Sequence, residues 1–409
     1  MANIKHSYAL KVEWLDPASE VKRFFKLTYF VRMDGQGEVE LFEPKNRKTF
    51  LKRIKYPSIE EDDLFIGAKL NIFGRQMTVL DFENDFTRTS LGKIAERAFA
   101  LLTAGAVPFL GDVWTAINEA GLKVTNARSA RLTATDAATL FDVVPGGVCD
   151  GLSVALEVVG PDAVQQWDTI LGSVAATLPA HAGAALVGAA SAAESERCLD
   201  AFFGDGYRGR AGGALPKFGD TTVTGFKATA AAAAGGGGGA SALPAPSARA
   251  VTAAMDDLVT SVVVLPHAVA KGQAGPLLRD LGRALAATHD GGDAAGPLTL
   301  TALQMFDLEL VTAEEFLEVY KHVVPEFGDM AAELSDGLLL ALEVRGRDAV
   351  QRVRRIVGPR DVDIAKQIRP DTLRAKYGVS TVKNALHCTD LPEDGASESE
   401  YFFSVLQQQ

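Results

Sequence analysis

Between residues 1 and 91, apolar and polar side chains alternate in short runs rich in β-branched and aromatic residues. FFKLTYFV (24–31), EVELFE (38–43) and KLNIFGRQMTVLDF (69–82) show the period of half-buried strands, because successive side chains on a strand point to opposite faces. RMDGQG (32–37) supplies a turn between the first two runs. The pattern predicts a small β domain over 1–91. Beyond residue 92 it changes: apolar runs such as AFALLTAGAV (98–107) alternate with helical stretches such as GDVWTAINEAG (111–121). That alternation predicts mixed strand–helix units.

The later part of the chain repeats itself. DGLSVALEVVGPDAVQQWDTILG (150–172) aligns without a gap on DGLLLALEVRGRDAVQRVRRIVG (336–358), as a strand followed by an amphipathic helix. LDAFFG (199–204) likewise matches LRAKYG (373–378). Such self-similarity predicts two copies of one domain, at 94–227 and 251–408. ATAAAAAGGGGGASALPAPSA (228–248) lies between them and offers nothing to fill a core, so a flexible linker is expected over 228–250. No Gly-Lys-Ser/Thr follows its glycines, which argues against a phosphate loop.

Charge and composition narrow the function classes. The 409 residues allow two to four domains. A net charge of −11 argues against a general nucleic-acid binder. Cys149, Cys198 and Cys388 are too scattered for a disulfide framework or a zinc site, and no metal site is expected. The opening MANIKHSYALKVEW has no secretory h-region, and no run reads as a transmembrane helix. A cytosolic or cytoskeletal protein in a reducing compartment is expected, without membrane partners. KNRKTFLKRIKY (45–56) concentrates Lys45, Arg47, Lys48, Lys52, Arg53 and Lys55 in an acidic chain. It reads either as a solvated strand and turn or as a docking surface for an acidic partner. The surrounding aromatics show no RNA-binding signature.

Candidate chemistry centres on NALHCTD (384–390). His387 stands eleven residues before Glu398, with Arg354, Arg374 and Asn384 on the same copy. A histidine, a carboxylate to orient it and convergent arginines suit phosphoryl transfer. The alternative is a partly exposed histidine bonded to Glu398 and chemically idle.

The second copy resembles the nucleoside diphosphate kinase family. That family carries Asn-x-x-His-(Gly/Cys)-(Ser/Thr)-Asp, matched by NALHCTD, and an Arg-Pro-Gly-Thr-(Ile/Leu)-Arg type segment, matched by RPDTLR (369–374). The resemblance covers about 94–408 in its two copies. It implies an α+β fold: in each copy a ferredoxin-like βαββαβ core, with antiparallel sheet and flanking helices. It also implies ping-pong transfer of a γ-phosphate through a phosphohistidine, with Mg²⁺ and ATP or another nucleoside triphosphate required if the second copy is active. Carried onto this chain, His387 would be the nucleophile and Glu398 its orienting carboxylate. Arg354 and Arg374 would contact phosphates, and Asn384 sugar or phosphate. Tyr320, in EFLEVYKHV (315–323), would be the active-site tyrosine, and Phe327 the base-stacking aromatic.

The departures are specific. The family opens its first strand with Lys-Pro-Asp, whereas VVVLPHAV (262–269) puts Leu265 at the lysine position, followed by Pro266 and His267. Arg360 falls near the family's phosphate threonine, where it either compensates or points outward. In the first copy Thr103 takes the lysine position, and Asp168 and Asp200 stand opposite Arg354 and Arg374. Gly212 or Gly213, in YRGRAGGA (207–214), replaces the histidine. The first copy is expected to fold but to be catalytically dead.

KNRKTFLKRIKY and DDLFIGAKLNIFGRQMTVLDF (62–82) resemble the DM-ten domain of ciliary proteins, which is similar to a pleckstrin-homology-like β-barrel. A DM-ten domain before two nucleoside diphosphate kinase copies is similar to a group of axonemal proteins. The resemblance implies residence in the axoneme of a cilium or flagellum, and contact with tubulin, doublet microtubules and other axonemal proteins, including their inner surface and γ-tubulin complexes. The expectation is a structural axonemal protein with at most weak activity. The alternative is an active kinase working through phospho-His387. The two copies are expected to pack as a pseudo-dimer, with inserts such as ALAATHDGGDAAGPLTL (284–300) as tolerated loops.

Overall fold

The computed structural model describes residues 4–203 and 251–408, apart from 17–18, 20, 58, 66–67, 93–95, 184, 190 and 291–295. The linker and the segment with Gly212 and Gly213 therefore lie outside the described residues.

Six strands form the N-terminal sheet: β1 (Ile4–Asp16), β2 (Val21–Arg32), β3 (Gly37–Glu43), β4 (Lys48–Lys55), β5 (Lys69–Ile72) and β6 (Arg75–Phe82). They run antiparallel in the order β4-β3-β2-β1-β6-β5. On β2 the alternation buries Phe25, Leu27, Tyr29 and Val31, which meet Leu10, Val12, Val39 and Leu41 from the neighbouring strands. The run 69–82, predicted as one strand, is a hairpin. Phe73 (φ 51°) and Gly74 (φ 73°) are both left-handed, the geometry that turns the chain in two residues while keeping the sheet's twist. β1 and β4 bound regions that the alternation alone left unassigned, and β4, built from the basic stretch, is an edge strand.

Eight further strands make one continuous antiparallel sheet: β7 (Glu96–Leu102), β8 (Lys123–Ala130), β9 (Ser153–Gly160), β10 (Leu186–Gly188), β11 (Val259–Val264), β12 (Thr299–Asp307), β13 (Leu338–Arg345) and β14 (Leu386–Cys388). Their order is β10-β7-β9-β8-β12-β13-β11-β14. From either edge toward the middle, each half runs fourth, first, third, second strand. In β11–β14, with its helical crossovers, this is the ferredoxin-like arrangement. The halves meet where β8 pairs with β12, Arg128 opposite Gln304.

The repeated stretch folds the same way in both halves. β9 leads into the helix Ala163–Thr177 and β13 into the helix Ala349–Val357. Each helix starts from a left-handed aspartate, Asp162 (φ 47°) and Asp348 (φ 53°). At the junction the helices Leu110–Glu119 and Ala274–Asp290 cross in close contact, and each contributes a glycine. A Cβ on Gly111 would sit 2.1 Å from Arg279 N, and one on Gly275 would sit 2.7 Å from Thr115 N. Trp114, Ile117, Leu277 and Leu281 join one apolar cluster spanning both halves. The two halves thus join edge to edge in one sheet, with a helix pair laid across the junction.

The N-terminal domain is anchored to the second sheet by buried charge. Asp307, at the end of β12 and 1% exposed, pairs with Lys69 and accepts a hydrogen bond from Gln76 Nε2 at 2.7 Å. Asn71 donates to Asp336, and Lys123 Nζ lies 2.7 Å from Asp63 Oδ1. Among the described residues no helix is long and apolar enough to cross a membrane.

Candidate functional site

The cleft lies at the end of β11. β14 adds to the edge of β11 with His387 opposite Val263. The turn into β14 passes through Ala385, fully buried and left-handed at φ 73°. A left-handed non-glycine residue costs about 1 kcal/mol or more and persists only where its surroundings hold it. Here Leu265 N–H donates to the Ala385 carbonyl at 3.0 Å. Ala385 stands two residues before His387, and this bond fixes the direction in which the chain enters β14.

His387 is well oriented. Its Nε2 lies 3.1 Å from Glu398 Oε2, and Thr389 Oγ1 donates to the same oxygen at 2.9 Å. An ionised carboxylate only accepts, so the ring proton sits on Nε2 and Nδ1 keeps its lone pair. Phe316 packs edge-on to the imidazole with ring centres 5.2 Å apart, and Tyr320 does so at 6.3 Å. Cys388, the neighbouring thiol, is fully buried; burial pushes its pKa up and keeps it protonated. The histidine, not the cysteine, is the available nucleophile.

Tyr320, Arg374, Asn384 and His387 line one cleft together with Leu265, Phe316, Glu333, Arg360 and Asp390. Tyr320 O–H donates to Asp390 Oδ2 at 2.6 Å. Burial, reinforced by that carboxylate, pushes the phenol well above its ordinary range. Arg354 stands at the rim. Its Nη1 donates to the Asp390 carbonyl, and its Nη2 lies 3.4 Å from Asp390 Oδ1. Arg374 is buried beneath the cleft. Its Nε and Nη2 donate to the Leu386 carbonyl at 3.1 and 3.0 Å, and its Nη1 to the Gly358 carbonyl at 3.0 Å. It pins the backbone one residue before the histidine. Asn384 Nδ2 donates to the Thr381 carbonyl at 3.1 Å, while its buried Oδ1 has no protein partner. An orphaned buried acceptor is costly and suits a ligand hydroxyl. Phe327 opens the helix Phe327–Leu334 and packs against the Phe306–Phe402 cluster, outside the cleft lining.

Leu265 lines the cleft and is 7% exposed, packed with Leu317 and Leu334. Among the described residues, no cationic side chain of that strand end lines the cleft. Behind it, His267 Nδ1 lies 2.6 Å from Glu333 Oε1, and Lys383 Nζ 3.3 Å from Glu333 Oε2. These contacts hold the Glu333 carboxyl below its usual range despite burial.

In the first half Thr103 is buried, its hydroxyl donating to the Ala185 carbonyl at 3.1 Å, and Asp168 is exposed on its helix. Of the basic stretch, Lys45, Arg47, Lys48, Lys52 and Lys55 are exposed. Arg53 is committed to Glu38 and lies 4.0 Å above the Phe30 ring.

Sequence reasoning missed Asp390, Phe316 and Thr389. Asp390 and Thr389 lie inside the quoted motif. Phe316 sits four residues before Tyr320, one helical turn away, and that spacing was the available signal.

A ferredoxin-like half-sheet whose last strand presents a carboxylate-held histidine to a cleft defines the nucleoside diphosphate kinase class. A sequence model of that family, nucleoside diphosphate kinase, matches residues 259–407. Nucleoside diphosphate kinase homolog 7 of Rattus norvegicus is 34% identical over 415 residues, spanning 99% of this chain and 94% of the relative. That of Mus musculus is 34% identical over 414 residues with the same coverage. The nucleoside diphosphate kinase of Aquifex aeolicus is 32% identical over 148 residues, 36% of this chain and 95% of the relative. A crystal structure of the Aquifex aeolicus enzyme aligns on 36% of this chain and 96% of its own, with a TM-score of 0.32. The chain belongs to the nucleoside diphosphate kinase homolog 7 family.

Proposed function

We propose that the chain is a structural protein of the ciliary or flagellar axoneme, built on a nucleoside diphosphate kinase scaffold. On this reading residues 1–91 are a pleckstrin-homology-like DM-ten domain, and two kinase-type copies follow it, the first catalytically dead. The second keeps a slow phosphohistidine site. One observation carries the catalytic part: the His387–Glu398 pair is fully formed while the strand end facing it is a buried leucine. The structural part is supported by the exposed lysines of β4, which complement an acidic tubulin surface. Tubulin of the doublet microtubule, neighbouring axonemal proteins and the γ-tubulin complex are the partners this reading names. Imaging of axonemal doublets is expected to show this chain on the microtubule wall. Its absence there, with recovery only among soluble proteins, contradicts the assignment.

On this reading the second copy transfers phosphate through His387. Nδ1 of His387 attacks the γ-phosphorus of a Mg²⁺-bound nucleoside triphosphate. The N–P bond forms, the bond to the bridging oxygen breaks, and the diphosphate leaves with that electron pair. No proton leaves Nδ1, since Nε2 already carries the ring's proton, and Glu398 stabilises the positive imidazole. Reversal onto another nucleoside diphosphate completes transfer. Asn384 Oδ1 is placed to accept from a sugar hydroxyl. Without a cation at position 265 the step is slow. His387→Ala is expected to abolish acid-labile labelling from γ-labelled ATP, and persistence of that label in the variant contradicts the role.

A further inference from the structure

Among the described residues, two cationic side chains line the His387 cleft, Arg374 and Arg360. Their commitments differ. Arg374 is 7% exposed and spends two donors on the Leu386 carbonyl of β14 and a third on the Gly358 carbonyl. Moving it would unpin the strand that holds the nucleophile. Arg360 is held by much less. Its Nη2 contacts Met330 Sδ at 3.0 Å, a weak acceptor, and lies 3.5 Å from Glu326 Oε2. That ion pair is open to water, with side-chain exposures of 32% and 41%, and such pairs contribute little. Arg354 lies outside the lining and is closed onto Asp390.

We propose that Arg360 is the phosphate-holding cation of this cleft, taking the terminal phosphates of a nucleoside di- or triphosphate in place of the ammonium missing at position 265. The proposal rests on the nucleotide reading given above. A guanidinium fork matches two phosphate oxygens at once. Arg360 reaches the cleft from the loop between the helices Ala349–Val357 and Val362–Ile368, a different wall from Leu265. The loop thereby supplies a charge for holding the bound phosphates, but not the ammonium beside His387 that would speed transfer. Glu326 occupies the fork when no phosphate is present and competes with it.

The test titrates a fluorescent ADP analogue, with Mg²⁺, into the full chain, with adenosine in parallel. Arg360→Ala is expected to weaken ADP binding about 10- to 100-fold, the span of one lost charge-assisted contact, and to leave adenosine binding unchanged. Arg360→Lys retains part of the affinity. Glu326→Gln, which frees the fork, is expected to tighten ADP binding a few-fold. This variant decides the matter if Arg360→Ala does not fold. ADP binding that is equal in wild type and Arg360→Ala, or unaffected by Glu326→Gln, overturns the proposal while the nucleotide reading stands. A wild-type chain that binds no ADP overturns both.

Discussion

Leu265→Lys is expected to raise the rate of phosphoryl transfer by roughly 100- to 1,000-fold, the usual worth of one preorganised charge at a developing anion. Leu265 is the single residue between β11, which ends at Val264, and the helix Pro266–Ala270, so its backbone is fixed by neighbours on both sides. The side chain already points into the cleft that His387 lines. A lysine stem can follow the same apolar wall of Leu317 and Leu334 and carry its ammonium further, as long cationic side chains do. Asp390 and Glu333 also line the cleft, so the new charge does not stand alone. Some stability is lost, because the leucine is 7% exposed and packs well. The measurement is single-turnover loss of γ-label from ATP, with the melting temperature as control. A folded variant with an unchanged rate would show that the leucine is not what limits this site.

Glu343→Ala is expected to destabilise the second half of the chain by about 2–4 kcal/mol, because the buried Ser399 hydroxyl and three partly buried donors lose one shared acceptor together. Glu343 is fully buried in the middle of β13. It accepts from Ala254 N at 2.6 Å, Met255 N at 3.0 Å and Thr301 Oγ1 at 2.5 Å, and from Ser399 Oγ. It therefore ties the chain entering the second half to β12, β13 and the helix that carries Glu398. Thr252 extends the tie to the first half through Ser129, whose Oγ lies 2.7 Å from Thr252 Oγ1 and accepts from Leu303 N at 2.9 Å. Hydrogen exchange at 252–256 and thermal unfolding check the prediction. Residues 252–256 should exchange freely in the variant, and Glu343→Gln should cost less. A loss below about 1 kcal/mol would contradict a network role.

The repeat made this glutamate partly legible. Ala-Leu-Glu-Val stands in both copies, an acid inside an apolar strand, and Glu157 is buried at 3% as Glu343 is. What the alignment lacked was the partners. Glu157 sits 3.9 Å from Arg97, whereas Glu343 holds the backbone of Ala254 and Met255 at the start of the second half. Local signals carried the alternation on β2 and β3 and the strand and helix of the repeat, and they paired His387 with Glu398, which lie 3.1 Å apart. Each depends on residues close in sequence.

Non-local contacts were not legible. Asp307 reads as the polar end of a strand, and only the docked N-terminal domain makes it a buried anchor for Lys69 and Gln76. Arg374 was recognised by type, but the direction of its guanidinium depends on carbonyls presented by β14 and by the C-terminal end of the helix Ala349–Val357. Whether Arg360 faced the cleft could not be read from spacing; the helix beside it decided that. The run 69–82 was misassigned because Phe-Gly is a weaker turn signal than Asn-Gly.

The most direct measurement is labelling of the full chain with γ-labelled ATP and Mg²⁺ under single-turnover conditions. Slow, acid-labile labelling confined to His387, with weak transfer to added nucleoside diphosphate, is the expected result. Absence of label under those conditions, or turnover as fast as that of a kinase with lysine at position 265, would contradict it.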